Sequence, residues 1–106
     1  MEEKKYCLII VVVKRGFSDT VMDAARKEGA KGGTIIHARG TSQLETQKFM
    51  GMNIEPEKDL ILILAKTENK KAIMKSINEQ AGLNQEGNGL VFALPVDEVS
   101  GAFTKR

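Results

Sequence analysis

The sequence has little of what builds metal sites, disulfides and catalytic centres. Its 106 residues include one cysteine (Cys7), one histidine (His37), two prolines, one tyrosine and no tryptophan. A lone cysteine excludes an internal disulfide, and with a lone histidine it excludes a Cys/His zinc site within one chain. No Ser/His/Asp or Cys/His set occurs, nor a Walker A string, nor GxGxxG. No residue is therefore assigned a catalytic or metal-binding role. Glu55 and Glu57 flank Pro56, but acids in a polar stretch are ordinarily solvated. The net charge of +2 is too small to argue for a nucleic-acid partner. The longest apolar run, residues 6–13, is far short of the ~20 residues that span a bilayer. No small-residue cleavage site follows that run, so the expectation is no membrane insertion and a reducing cytoplasm.

What is present is a globular composition, 42% hydrophobic and 28% charged. The length fits one domain, residues 1–106. Residues 7–13 are β-branched and short, which favours a strand. A helix is expected over residues 19–28, with Ser18 and Asp19 as caps and Gly29 as its stop. Residues 34–39 read as a second strand. Residues 40–57 are mostly polar, a long connection of the kind that is usually functional. Residues 60–64 form a third strand. A second helix is expected over residues 69–81, with Ile73, Ile77 and Ala81 on one stripe and Gly82 closing it. Residues 90–94 form a fourth strand, followed by a polar tail. The order is βαββαβ, an α+β split arrangement. It places the first and third strands in the middle of a four-stranded antiparallel sheet, with both helices on one face.

The central strands are apolar on both faces. Leu8, Ile10 and Val12 alternate with Ile9, Val11 and Val13, and Leu60, Leu62 and Leu64 with Ile61 and Ile63. Helices cover only one face, and an open sheet normally alternates apolar with polar. The second face is expected to pack against copies of the chain; the alternative cover is the tail or the long loop.

Glycine placement is the remaining signal. Gly32-Gly33-Thr34 leads into the second strand, Gly40 leaves it, and Gly87-Asn88-Gly89 leads into the fourth. Glycine lets a backbone approach a ligand, and clustered N–H groups attract phosphate. Tight turns need the same residues. On the residues alone both readings stand.

Residues 29–40, Gly-Ala-Lys-Gly-Gly-Thr-Ile-Ile-His-Ala-Arg-Gly, resemble the segment that precedes the T-loop in P-II and P-II-like nitrogen regulatory proteins. Pro56-Glu57-Lys58 and residues 87–99 resemble that family too. The resemblance implies a ferredoxin-like cytoplasmic homotrimer rather than an enzyme. It implies a protein that requires no cofactor and binds adenine nucleotide (AMP, ADP or ATP) as an effector between subunits. It further implies regulation of a membrane transporter or metabolic enzyme through a T-loop of about residues 41–56. Gly87, Asn88 and Gly89 would belong to a phosphate-wrapping B-loop of about residues 84–89. Gly32, Gly33 and Thr34 would meet the base and ribose, Val12, Gly40 and Ile63 would line the pocket, and Lys58 would reach a phosphate. Four departures stand out. The loop segment is short and lacks tyrosine, Asn88 stands where the family usually carries aspartate, Leu90 stands where it carries lysine, and residues 99–103 lack the paired arginines. Fewer cations favour AMP or ADP over ATP. The alternative is a phosphate-handling enzyme of acylphosphatase type. Arg15-Gly16-Phe17 sits in the correct turn for it, but residues 60–66 contain no asparagine.

Overall fold

The fold is a four-stranded antiparallel sheet with two helices on one face, described here from a computed structural model. The structure describes residues 4–41, 47–49, 52–54 and 56–101. The elements are β1 (Tyr6–Lys14), α1 (Ser18–Lys27), β2 (Thr34–Arg39), β3 (Gln47–Phe49), β4 (Met52–Ile54), β5 (Glu57–Lys66), a 3-10 turn (Thr67–Asn69), α2 (Lys70–Ala81) and β6 (Gly89–Val96). The main sheet runs β2-β5-β1-β6, so the first and third expected strands, β1 and β5, are central.

Strand alternation decides where the core lies. Cys7, Ile9, Val11 and Val13 of β1 and Ile61, Ile63 and Ala65 of β5 point to the helices and are buried. They pack with Val21, Met22 and Ala25 of α1 and Ile73, Ile77 and Ala81 of α2. The helices touch closely where Ala24 faces Ser76, whose hydroxyl donates to the Ala24 carbonyl at 2.8 Å. Gly29, at φ +104, closes α1: its N–H donates to the Arg26 carbonyl and that of Ala30 to the Ala25 carbonyl. This satisfies carbonyls that the helix end would otherwise leave unpaired.

The structure departs from the sequence expectation in three places. Phe17, not Ser18 or Asp19, precedes the helix, and no side chain caps it. The tight turn from Lys14 to Phe17 already puts Ser18 inside α1. The connection after β2 contains a two-stranded ribbon, β3 with β4, in which Gln47 faces Ile54 and Phe49 faces Met52. Three-residue strands are too short to show alternation in sequence. Third, β5 starts at Glu57, before its apolar run, because Lys58 and Asp59 are themselves buried there.

Asp59 is 2% exposed and joins three segments. One carboxylate oxygen meets His37 Nδ1 of β2 at 2.8 Å, and the other accepts the N–H of Gly16, in the β1–α1 turn, at 3.2 Å. Burial pushes its pKa up, but the His37 and Gly16 hydrogen bonds and the charges of His37 and Arg15 outweigh that and hold it below the ordinary carboxylate value. A depressed native pKa adds stability that is complete above the unfolded pKa and is lost as pH falls through the native one.

Two predictions follow from this packing. Ile77→Ala should lower unfolding free energy by about 2–5 kcal/mol in denaturant titration, since its side chain is fully buried. Asp59→Asn should cost about 1.5–3 kcal/mol at pH 7, and its deficit relative to wild type should shrink below pH ~4 as the wild-type carboxylate protonates. A pH-independent deficit would contradict the ionised clamp.

Candidate functional site

The helix-free face of the sheet is a continuous apolar surface. Strand register places Leu8, Ile10 and Val12 of β1 beside Leu64, Leu62 and Leu60 of β5, and beside Leu94, Phe92 and Leu90 of β6. At the other edge Ile36 of β2 lies opposite Leu60. Leu90, Phe92, Leu94 and Ile36 remain 52%, 39%, 48% and 42% exposed. Among the described residues the tail does not cover this face. It touches only one end, where Val96, Glu98, Val99 and Ser100 help to line an open trough.

That trough has a volume of about 1130 Å³. Its apolar lining comes from Leu8, Leu62 and Leu64, and it also takes in Lys31, Gly32, Gly33 and Thr34. The lining therefore combines aliphatic side chains, backbone that approaches closely, a hydroxyl, one cation (Lys31) and one anion (Glu98). Just outside the trough Lys4 pairs with Asp97 at 2.9 Å, and that bond holds the Asp97 carboxyl below its ordinary pKa.

The ten sequence-derived site residues fall into separate groups. Gly32, Gly33 and Thr34 come together in the trough. A side chain on Gly33 would press on Met22 Sδ at 2.9 Å and the Leu62 carbonyl at 3.1 Å, whereas Gly32 has open space around it. Gly40, Lys58, Val12 and Gly89 gather toward the other end of the sheet, where the 41–55 segment leaves and returns. Gly40 packs on the Lys58 stem, and its N–H donates to the Pro56 carbonyl at 3.0 Å. Lys58 is 5% exposed. Gly89 opens β6 at φ +130, and a Cβ there would overlap the Val12 carbonyl oxygen. Asn88 turns its amide inward, donating to the Gly82 carbonyl at 3.0 Å, so its side chain is committed to the end of α2.

Ile63 requires a correction. It is fully buried on the helix side, with Cγ1 3.3 Å from the Cβ position of Gly33. Alternation puts it on the opposite face from Leu62 and Leu64, so it supports Gly33 from beneath and offers no surface to a ligand. The two glycine clusters also stay apart, since β2 and β6 are opposite edges. At ~4.8 Å per strand spacing the separation across the sheet is roughly 14 Å.

Sequence reasoning missed Lys31, Glu98, Val99 and Ser100 as lining residues. The tail carries no periodicity that would place it. It also read His37 as solitary; a single Asp breaking the apolar run toward β5 was the available signal for its partner. The acylphosphatase alternative loses support, because the Arg15 guanidinium is engaged by Glu57. Among the described residues no helix is long and apolar enough to cross a membrane, and no cluster of metal-ligating side chains occurs.

Comparison with known proteins agrees with this architecture. The sequence model of the nitrogen regulatory protein P-II family matches residues 6–105. The chain is 25% identical over 92 residues to nitrogen fixation nifHD1 region GlnB-like protein 1 of Methanosarcina barkeri, covering 86% of this chain and 88% of that protein. The crystal structure of Arabidopsis thaliana PII bound to citrate superposes with a TM-score of 0.71 at 23% identity, covering 98% of this chain and 86% of that one. The likeness in structure identifies the fold as the ferredoxin-like fold of PII proteins, and the match along almost the whole sequence makes the chain a member of the P-II family of signal-transduction proteins.

Proposed function

We propose that the protein is a cytoplasmic homotrimeric regulator that binds adenine nucleotides in the clefts between its subunits. It passes the bound state to a transporter or metabolic enzyme through the T-loop of about residues 41–56. The apolar sheet face carries this reading. Leu8, Ile10, Val12, Leu60, Leu62, Leu64, Leu90, Phe92 and Leu94 form a patch that packing against copies would remove from water, at about 25 cal/mol per Å² of apolar area. Packing of copies also supplies what one chain lacks, a way for the Gly32–Thr34 edge of one subunit to meet the Gly87–Gly89 edge of the next.

In such a cleft the leucines beneath the trough suit a flat apolar base, and Thr34 with the neighbouring backbone supplies polar contacts. The B-loop of about residues 84–89 would offer backbone N–H groups rather than side chains, since the Asn88 amide is spent on Gly82. Leu90 adds no charge. With so few cations at that loop, a mono- or diphosphate is favoured over a triphosphate. Small polycarboxylates are a second ligand class worth testing, since the Arabidopsis relative was crystallised with citrate.

Sedimentation at micromolar concentration should show a trimer; a stable single subunit would overturn the assembly. Calorimetry with AMP, ADP and ATP should show binding of at least one, and silence with all three at millimolar ligand would overturn the nucleotide role. Gly89 is a poor test position because a side chain there would break the β6–β1 pairing itself. Gly32→Phe, into open space, should leave the trimer intact and weaken nucleotide binding at least tenfold; unchanged affinity would remove the trough from the site.

A further inference from the structure

A second, smaller cleft of about 140 Å³ lies at the start of the 3-10 turn, among Gly29, Lys31, Lys66, Glu68 and Asn69. Its surroundings are strongly cationic. The Thr67 N–H donates to the Lys5 carbonyl at 2.9 Å, which holds the Lys5 backbone against the 3-10 turn, and α2 opens with Lys70 and Lys71 and no acid in its first turn. The chain carries only +2 overall, yet two lysines, Lys31 and Lys66, line this cleft with Glu68, and Lys70 and Lys71 follow Asn69 directly in sequence. Some basic side chains elsewhere find acids, as in Lys4–Asp97, Arg15–Glu57, Arg26–Asp23 and Lys75–Glu79, whereas among the described residues Lys14, Lys27 and Arg39 do not. Among the described residues Lys5, Lys31, Lys66, Lys70 and Lys71 make no such pair. Unpaired like charges, two of them at the positive end of a helix dipole, oppose folding.

We infer that this cleft is a binding site for a small phosphate-bearing anion, separate from the nucleotide cleft proposed above. Its size suits a phosphate or diphosphate group and not a nucleoside. Lys31, which precedes β2, and Lys66, which ends β5, both line the cleft, and the Asn69 amide lies at the Gly29 turn, with Nδ2 3.0 Å from the Cβ position of that glycine. Lysines act as point charges that accept an oxyanion in more than one orientation. The anion would relieve the repulsion among the lysines. Lys31 also lines the larger trough, so an occupied cleft would hold that ammonium on the side away from the trough.

The test uses the full-length chain with inorganic pyrophosphate as probe. Pyrophosphate should raise the unfolding temperature saturably at millimolar concentration or below, and should shift the backbone amide signals of Gly29, Lys31, Lys66 and Asn69. The Lys31→Gln/Lys66→Gln double variant should bind pyrophosphate at least tenfold more weakly while unfolding, without ligand, at the wild-type temperature or above. Gly32→Phe should bind pyrophosphate as wild type does, which separates this site from the nucleotide reading. Equal binding by the double variant, an equal effect from sodium chloride at matched ionic strength, or shifts confined to Gly87–Gly89 would overturn the proposal. So would lysine-dependent binding to phosphatidylglycerol vesicles without pyrophosphate binding, which would assign the cluster to a lipid headgroup surface instead.

Discussion

The structure turns on one mismatch: a sheet that is apolar on both faces and helices enough for only one. Residues of odd number in β1 and β5 are satisfied inside the chain by α1 and α2. Their even-numbered neighbours meet the same kind of side chain on β6, and among the described residues only the tail lies near them, at the Leu8–Leu64 end. A strand cannot hide both of its faces in a domain of this size, because burying the second would take another layer of structure. The remaining features are arranged around that open surface. Glycines sit at both edges, where backbone rather than side chain borders it, and the described part of the tail lies at one end.

Electrostatics is handled differently at the two ends of the sheet. Where the 41–55 segment leaves, Asp59 is hydrogen-bonded to His37 and to a backbone N–H, and Arg15 pairs with Glu57. That arrangement stiffens the end of β2 and the β1–α1 turn together, so strand, turn and loop root share one anchor. At the far end Lys4 pairs with Asp97, while Lys31 and Lys66 line the small cleft beside Glu68.

The fold was largely legible in the sequence because it is written in strong local signals. Alternating apolar residues located the central strands and both of their faces, the stripe of Ile73, Ile77 and Ala81 fixed the buried side of α2, and Gly29 marked the end of α1. Signals that depend on tertiary partners were not legible. Phe17 precedes α1 because the turn is tight, although Ser18 has the better capping chemistry. Asp59 reads as a polar interruption until His37 is seen opposite it across β2 and β5. Ile63 shows the same limit within the site: family resemblance drew it toward a pocket, and its place on the helix side removes it from any. The tail was expected only as an alternative cover for the open face, and no periodicity in residues 98–100 placed it at the trough.

At the root of the 41–55 segment the Gly40 N–H donates to the Pro56 carbonyl, and the β2–β5 register is set by residues outside the segment. Lengthening a closed loop is cheap, about 0.6 kcal/mol for each doubling. A change in the length of the segment therefore adds little closure cost, and the β2–β5 pairing on either side of it keeps its register.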